Sequence, residues 1–333
     1  MIIKYEEALD VFNRFDKNHI APSFHPYYVI ADAARDTSLT PLFFIYEEGQ
    51  SLFYHAYHIC PIGGTPFYDI QSPYGYGGPI TTNEDKDFLS RAWSAYAAWC
   101  AENNILAEFI RLHPLLKNWR YYSGEVIDDR ETVWIDLRPT ELLPTYRELA
   151  KRGVKKAKKH GLKIEWWSSD QFLTLFPLLY DEFITELNAD PFYHFTDEYF
   201  KKILSWENTH CAVCTQGAEV LTAAVFLVDT TTMEYHLSAS RSIAKELGSV
   251  YLLMHEAALR GQQLGCHVLH LGGGTDNSPD NPLLFFKSRF SNLHASFKIG
   301  KQVYNTGVYH QMKGEWQEVH GNAANRILFY RYH

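Results

Sequence analysis

The chain has 333 residues, a length that points to two domains rather than one. Its composition, 46% hydrophobic and 21% charged with 22 tyrosines, is that of a packed globular protein and excludes disordered and fibrous classes. A formal net charge of -8 argues against coating nucleic acid through a global field, so no DNA partner is expected, while a local basic patch can still act.

Residues 1–15, "MIIKYEEALDVFNRF", lack the basic, apolar and small-residue order of a secretory signal, and no apolar run reaches membrane-spanning length. A cytoplasmic protein with no membrane span is expected. "PLFFIYEEGQSLFYHAYHI" reads as a hairpin, with two aromatic and β-branched runs flanking residues 47–50. "SPYGYGGPI", residues 72–80, is too rich in Gly, Pro and Tyr to be regular throughout and reads as a loop. Leu89, Trp93, Tyr96, Ala97 and Cys100 recur at three- and four-residue steps. That spacing predicts a helix closed at Asn104, followed by a strand that ends before Pro114.

In "LLPTYRELAKRGVKKAKKHGLKIEWW", Pro144 and Thr145 signal a helix start, Gly161 a stop, and residues 162–167 a strand. Arg147, Lys151, Lys155 and Lys159 fall four residues apart, which puts a positive stripe on one helix face. Such a stripe is either a solvated face or a site for phosphate or diphosphate. Five cysteines, an odd number, do not make a disulfide framework. Cys211 and Cys214 sit three apart in a predicted strand, where their thiols face opposite sides, and no second pair completes a zinc site. His55 and His58 fail as a pair by the same geometry and read as packing or surface residues, so no metal is expected.

Further on, "TTMEYHLSAS" predicts a strand, "RSIAKELGS" a loop, "VYLLMHEAALRGQQLG" a helix, and "CHVLHLGGG" a strand ending in glycines. Residues 89–112 and 248–271 therefore match in element order and length and read as two copies of one α/β module, although that order is common among α/β proteins.

Six segments, "RELAKRGVKKAKKHGLKIE", "FPLLYDEFITELNADPFYHFTDEYF", "YHLSAS", "HVLHLGGG", "NPLLFFKSRFS" and "FKIGKQVYN", resemble in order the FemABX group of aminoacyl transferases and their acetyltransferase relatives in envelope and polysaccharide clusters. The resemblance runs over residues 141–305. In the looser first half, "SPYGYGGP" and "AEFIRLHPLLKN" are similar to blocks of the polysaccharide-cluster relatives. It implies an α/β (α+β) fold of two tandem GNAT-like domains, each a mixed sheet flanked by helices. One takes residues 1–138 with about 316–333, where "RILFYRY" returns to it, and the other residues 139–315. It also implies transfer of an acyl group from an activated ester or thioester to an amine. By the same resemblance no tightly bound cofactor is expected, acyl-CoA or aminoacyl-tRNA is the expected co-substrate, and a small molecule or nucleotide-linked compound the expected acceptor.

In the bridge-forming members the lysine of a Phe-Lys pair lies at the reacting ester, and the matching residues are Phe286 and Lys287. The resemblance thus implies that Lys287 polarises the carbonyl and stabilises its developing negative charge, with Phe286 shaping a dry pocket. Without it, Lys287 reads as a surface lysine flanking an aromatic cluster of Phe285, Phe286 and Phe290. Gly272, Gly273 and Gly274 either line a substrate cleft, with Thr275 and Asn277 as polar contacts, or make a tight strand exit. Asp276 is the candidate for holding the amine. His236 and His270 read as satisfied core histidines.

Tyr193 and His194 occupy the place of an acceptor-binding segment, and Tyr74 and Tyr76 either present stacking surfaces for a sugar or pack inward. Ordinary CoA-dependent relatives hold pyrophosphate on a Gln/Arg-x-x-Gly-x-Gly/Ala loop at a helix start. The matching "RSIAKELGSVYLL" keeps Arg241 and Gly248 but has no second spaced glycine, which weakens that grip. Two other readings stay open: a non-catalytic duplicated fold that binds a nucleotide-sugar or partner, and a tRNA-binding factor using the basic stripe.

Overall fold

The computed structural model describes residues 1–278, 280–321 and 326–331. It divides into two units, Met1–Asp129 with Phe297–His333, and Arg130–Ser296. In chain order the strands are β1 (Ile2–Ile3), β2 (Thr40–Glu48), β3 (Ser51–Pro61), β4 (Tyr68–Gln71), β5 (Gly78–Thr81), β6 (Ile105–Leu112) and β7 (Glu125–Asp136). There follow β8 (Lys163–Trp167), β9 (Thr209–Gln216), β10 (Glu219–Asp229), β11 (Thr232–Ser240), β12 (Val268–Gly273) and β13 (Leu293–Val303).

The first unit orders its strands β1-β2-β3-β4-β6 and continues into β13, with β5 beside β3. The β2–β3 hairpin turns at Gly49, whose φ of +61° is the left-handed conformation that a glycine adopts without a Cβ clash. Helix Lys86–Glu102 starts where Asp85 accepts hydrogen bonds from the amides of Asp87 and Phe88. It lays Phe88, Trp93, Tyr96 and Cys100 against Phe44, Phe53, Tyr57 and Ile70 of the sheet. Because both faces of β3 are covered, His55 and His58 are buried in it.

The second unit runs β7-β12-β11-β10-β9-β8, and among its described strands β11–β12 is the one parallel pairing. Helices Glu148–Lys159 and Ser249–Gln263 bury Ala150, Val154, Ala157, Leu253 and Ala257 in its core with Met233, Leu269 and Phe290. They meet closely at Gly153, where a Cβ would lie 2.4 Å from Tyr251 Cγ. Cys211 and Cys214 are both buried in β9, and burial pushes both thiols up to about 12. In each unit a helix joins two parallel strands, β4 to β6 across Lys86–Glu102 and β11 to β12 across Ser249–Gln263. This is the repeated module seen at residues 89–112 and 248–271.

Several details differ from expectation. Pro144 and Thr145 form a separate 3-10 turn, and the helix begins only at Glu148 with Arg147 as its cap. Tyr146 is the reason: it is buried against Phe290 with ring centroids 5.3 Å apart, which holds the chain extended between the two. The expected loop at "RSIAKELGS" contains helix Ala244–Leu247, closed by Gly248 at φ +79°. The first unit ends at Asp129, short of 138, because Thr132 to Asp136 pair with β12. It resumes at Phe297, before 316, because Lys298 to Val303 pair with β6. In "RILFYRY", Arg331 Nε donates to Asp69 Oδ2 at 2.6 Å within that unit; Tyr332 lies outside the described residues. Among the described residues no helix is long and apolar enough to cross a membrane.

Candidate active site

The site follows from where the second unit's parallel pair stops. β11 and β12 pair only from Thr232↔Val268 to Glu234↔His270, after which β11 continues to Ser240 and β12 shifts register before Gly272, at φ +73°. Two parallel strands that part leave backbone groups at their carboxyl ends open to a ligand, the usual place for one in α/β sheets.

The corresponding pair in the first unit stays laced together. Ser72 and Gly77 amides donate to the carbonyls of Phe109 and Arg111 at 3.1 and 2.8 Å, and the Arg111 amide donates to Ser72 Oγ at 2.9 Å. The tyrosine loop is what does the lacing. Tyr74 N donates to Asp32 Oδ2 at 2.9 Å, and its carbonyl accepts from Tyr28 Oη at 2.5 Å. Tyr76 stands edge-on to His113 and Phe297, with centroids 4.9 and 5.7 Å away. Of the two readings of this loop, inward packing describes Tyr76.

At the end of β12, the glycines are required by close approach. A Cβ on Gly273 would lie 2.9 Å from the Glu131 carbonyl oxygen, and one on Gly274 would lie 2.4 Å from Asn281 Oδ1. Two carbonyls of this run accept from cations: Lys287 Nζ donates to Gly273 O at 2.7 Å, and Arg130 Nη1 to Gly274 O at 3.1 Å. Lys287 is 7% exposed, with its Nζ 5.8 Å from the Tyr235 ring centroid. The surface-lysine reading therefore fails. Burial disfavours the ammonium and pushes its pKa down to about 7.

Helix Pro282–Lys287 delivers that lysine. Asn281 caps it, Oδ1 accepting from the Leu283 and Leu284 amides at 3.0 and 3.1 Å while Nδ2 donates to Thr275 Oγ1 and Asp276 Oδ1 at 2.7 and 3.1 Å. One buried side chain thus ties the glycine loop to the start of the lysine's helix. Asn281 was missed in the sequence although "NP" before an apolar run is a helix-start signal. Phe286 is half-buried between Tyr251 and Phe290, at 5.1 and 5.5 Å. Asp276 is exposed beside Asn277, and its carboxyl is held below the usual range first by the Ser278 amide and then by Asn281.

Gly272, Gly273, Gly274, Thr275, Asp276, Phe286 and Lys287 are therefore assembled in one loop and helix. The other expected residues lie elsewhere. Tyr193 closes the turn Pro191–Tyr193, and His194 Nδ1 is 3.5 Å from Asp181 Oδ1. Exposed Arg241 donates from Nε to Val220 O at 3.0 Å, and a Cβ on the neighbouring Gly248 would lie 2.8 Å from Gly153 O. The start of helix Ser249–Gln263 is thus covered by another helix's backbone. Of the stripe, Arg147 Nε donates to Asn292 Oδ1 at 2.8 Å and Lys151 Nζ to Glu148 Oε1 at 3.0 Å, while Lys155 and Lys159 are exposed. Among histidines, His236 Nε2 is 2.6 Å from Tyr199 Oη, and His270 is buried.

A solved structure of FemX matches at a TM-score of 0.71 and 12% identity, over 94% of this chain and 99% of that one. The chain has a FemX-like fold of two tandem GNAT-type units. The C-terminal domain of a putative lysylphosphatidylglycerol synthetase from Agrobacterium fabrum matches this Fem-like fold at a TM-score of 0.61 and 15% identity, covering 94% of this chain and 96% of that one. A tandem GNAT protein from the clavulanic acid biosynthesis pathway follows at 0.53 and 7%, covering 92% and 98%. No protein-family model and no curated sequence matches the chain.

Proposed function

We propose that this protein is a cytoplasmic acyltransferase that forms an amide, joining an acyl group from acyl-CoA to an amino group of a cell-envelope or polysaccharide precursor. One observation carries the reading: a buried lysine amine stands 2.7 Å from Gly273 O, where the parallel strands of the second unit part. With a pKa of about 7, Lys287 is present near neutral pH as both amine and ammonium. Neutral Lys287 takes the proton that the attacking amine sheds as its nitrogen bonds to the carbonyl carbon. The ammonium so formed stabilises the oxyanion, then returns the proton to the departing thiolate as the C–S bond breaks. Phe286 keeps water from that exchange, Gly272 to Thr275 line the acyl group, and Asp276 faces the acceptor amine.

A second reading, with aminoacyl-tRNA as donor to a peptidoglycan precursor, is favoured by the covered start of helix Ser249–Gln263, which lacks the spaced-glycine grip for CoA pyrophosphate. Titration calorimetry with acetyl-CoA and, in parallel, a charged tRNA pool separates the two. Binding of acetyl-CoA, with affinity kept in Lys287→Ala and turnover lost, is the expected result. Binding of charged tRNA alone moves the protein to the second reading. Unchanged turnover in the variant removes both and leaves a fold that only binds.

A further inference from the structure

We propose that helix Glu148–Lys159, with the exposed side chains around its start, is a docking surface for an anionic lipid bilayer. In a chain of net charge -8, this one helix carries Lys151, Arg152, Lys155, Lys156, Lys158 and Lys159 against the single acid Glu148. Its opposite face is used up in the core by Ala150, Val154 and Ala157, so the cations point to solvent. Lys151 and Lys158 are engaged by Glu148 and Glu256 at 3.0 and 3.3 Å. Arg152, Lys155, Lys156 and Lys159 have no carboxylate within salt-bridge distance among the described residues.

An independent observation selects the partner. Next to these cations the protein leaves large apolar side chains in water: Leu149 is 37% exposed, Leu283 38% and Phe285 55%. The start of the basic helix is tied to the segment that carries Phe285. The Arg147 amide donates to Arg289 O at 2.9 Å, and the Arg289 guanidinium carbon stands 3.6 Å over the Phe285 ring centroid. Nucleic acid would meet the cations with its phosphates and could stack a base on Phe285, but it gains nothing from Leu149 or Leu283, whereas all three apolar side chains gain free energy by entering an apolar medium. Cations that meet lipid phosphates beside apolar side chains that reach the acyl boundary make an interfacial site.

The test is sedimentation of the full chain with vesicles of phosphatidylcholine alone and of equimolar phosphatidylcholine and phosphatidylglycerol, with a tRNA gel-shift in parallel. The wild type should sediment with the anionic vesicles and not with the neutral ones. Three charge reversals, Arg152→Glu, Lys155→Glu and Lys156→Glu together, should weaken this by at least roughly a hundredfold, from about 1 kcal/mol per cation. Leu283→Ser keeps every cation and every ring and should still weaken vesicle binding several-fold, without changing any shift of tRNA. Absence of binding to anionic vesicles would overturn the proposal, as would equal binding to neutral ones. Tight tRNA binding lost in the charge reversal, with vesicle binding unaffected by it, would overturn it in favour of RNA.

Discussion

Replacing Lys287 by methionine should remove a pH dependence of stability that the buried lysine imposes between about 7 and 10.5. Burial lowers its pKa from 10.5 to about 7, so over that window the unfolded chain holds a proton that the folded chain has released. The stability gained from a neutral, buried lysine is complete above 10.5 and is lost as pH falls through about 7. At 1.36 kcal/mol per pKa unit, raising the pH from about 7 to about 9 should stabilise the wild type relative to Lys287→Met by about 2 kcal/mol. For a domain of this size, that is a relative rise in melting temperature of about 4–8 °C. Thermal unfolding of both proteins at the two pH values, at fixed ionic strength, reads this difference directly. Two melting curves that keep the same separation at both pH values would mean that Lys287 titrates normally, and the proton-carrying role assigned to it would fail.

Asn281→Ala removes the cap of helix Pro282–Lys287 and the tie to Thr275 and Asp276; it should cost about 1–2 kcal/mol in unfolding, yet reduce kcat far more than a stability loss explains. Asn281→Asp keeps the cap acceptor but sets a carboxylate oxygen against Asp276, so it should recover only part of the stability and none of the kcat, as measured by melting temperature beside turnover. Gly153→Ala forces a methyl into the Tyr251 ring and should destabilise by about 1–3 kcal/mol, read by denaturant unfolding. Glu108 is buried in the first unit between Tyr96 and Tyr122, whose hydroxyls donate to it at 2.9 and 2.6 Å, and burial raises its pKa from 4.5 to about 7. The sign is opposite to that of Lys287: the unfolded chain loses its proton first, so stability present below 4.5 is lost as pH rises through about 7. Glu108→Gln should remove that loss, roughly 3 kcal/mol, in melting curves taken across the window.

The regular elements were legible where one face is buried and the pattern has a period. The hairpin around Gly49 and the helix through Leu89, Trp93 and Tyr96 followed from alternation and from three- and four-residue steps. The basic helix was legible too, but its ends were not, because Tyr146 leaves the helical path to reach Phe290. Phe285, Phe286 and Lys287 are consecutive, so on a helix they point about 100° apart, and no local rule says which goes inward. The structure buries Lys287 and exposes Phe285, the reverse of what polarity alone suggests. The lacing of β4 to β6 by residues 72–77 is made largely of backbone hydrogen bonds, which leave no signature in residue types. Asn281 was within reach of the sequence, since Asn followed by Pro marks a helix start, but its second role toward Thr275 and Asp276 depends on a turn in the chain.

The most direct test is amide formation by wild type and Lys287→Met, using a radiolabelled acyl donor, acetyl-CoA or charged tRNA, with a panel of amino sugars and peptidoglycan-precursor peptides as acceptors. The wild type should place label in an amide with one of the donors, and the variant should do so at least about a hundredfold more slowly while binding that donor equally well. Equal rates in the two proteins, or no amide from either donor, would contradict the placement of acyl transfer at Lys287.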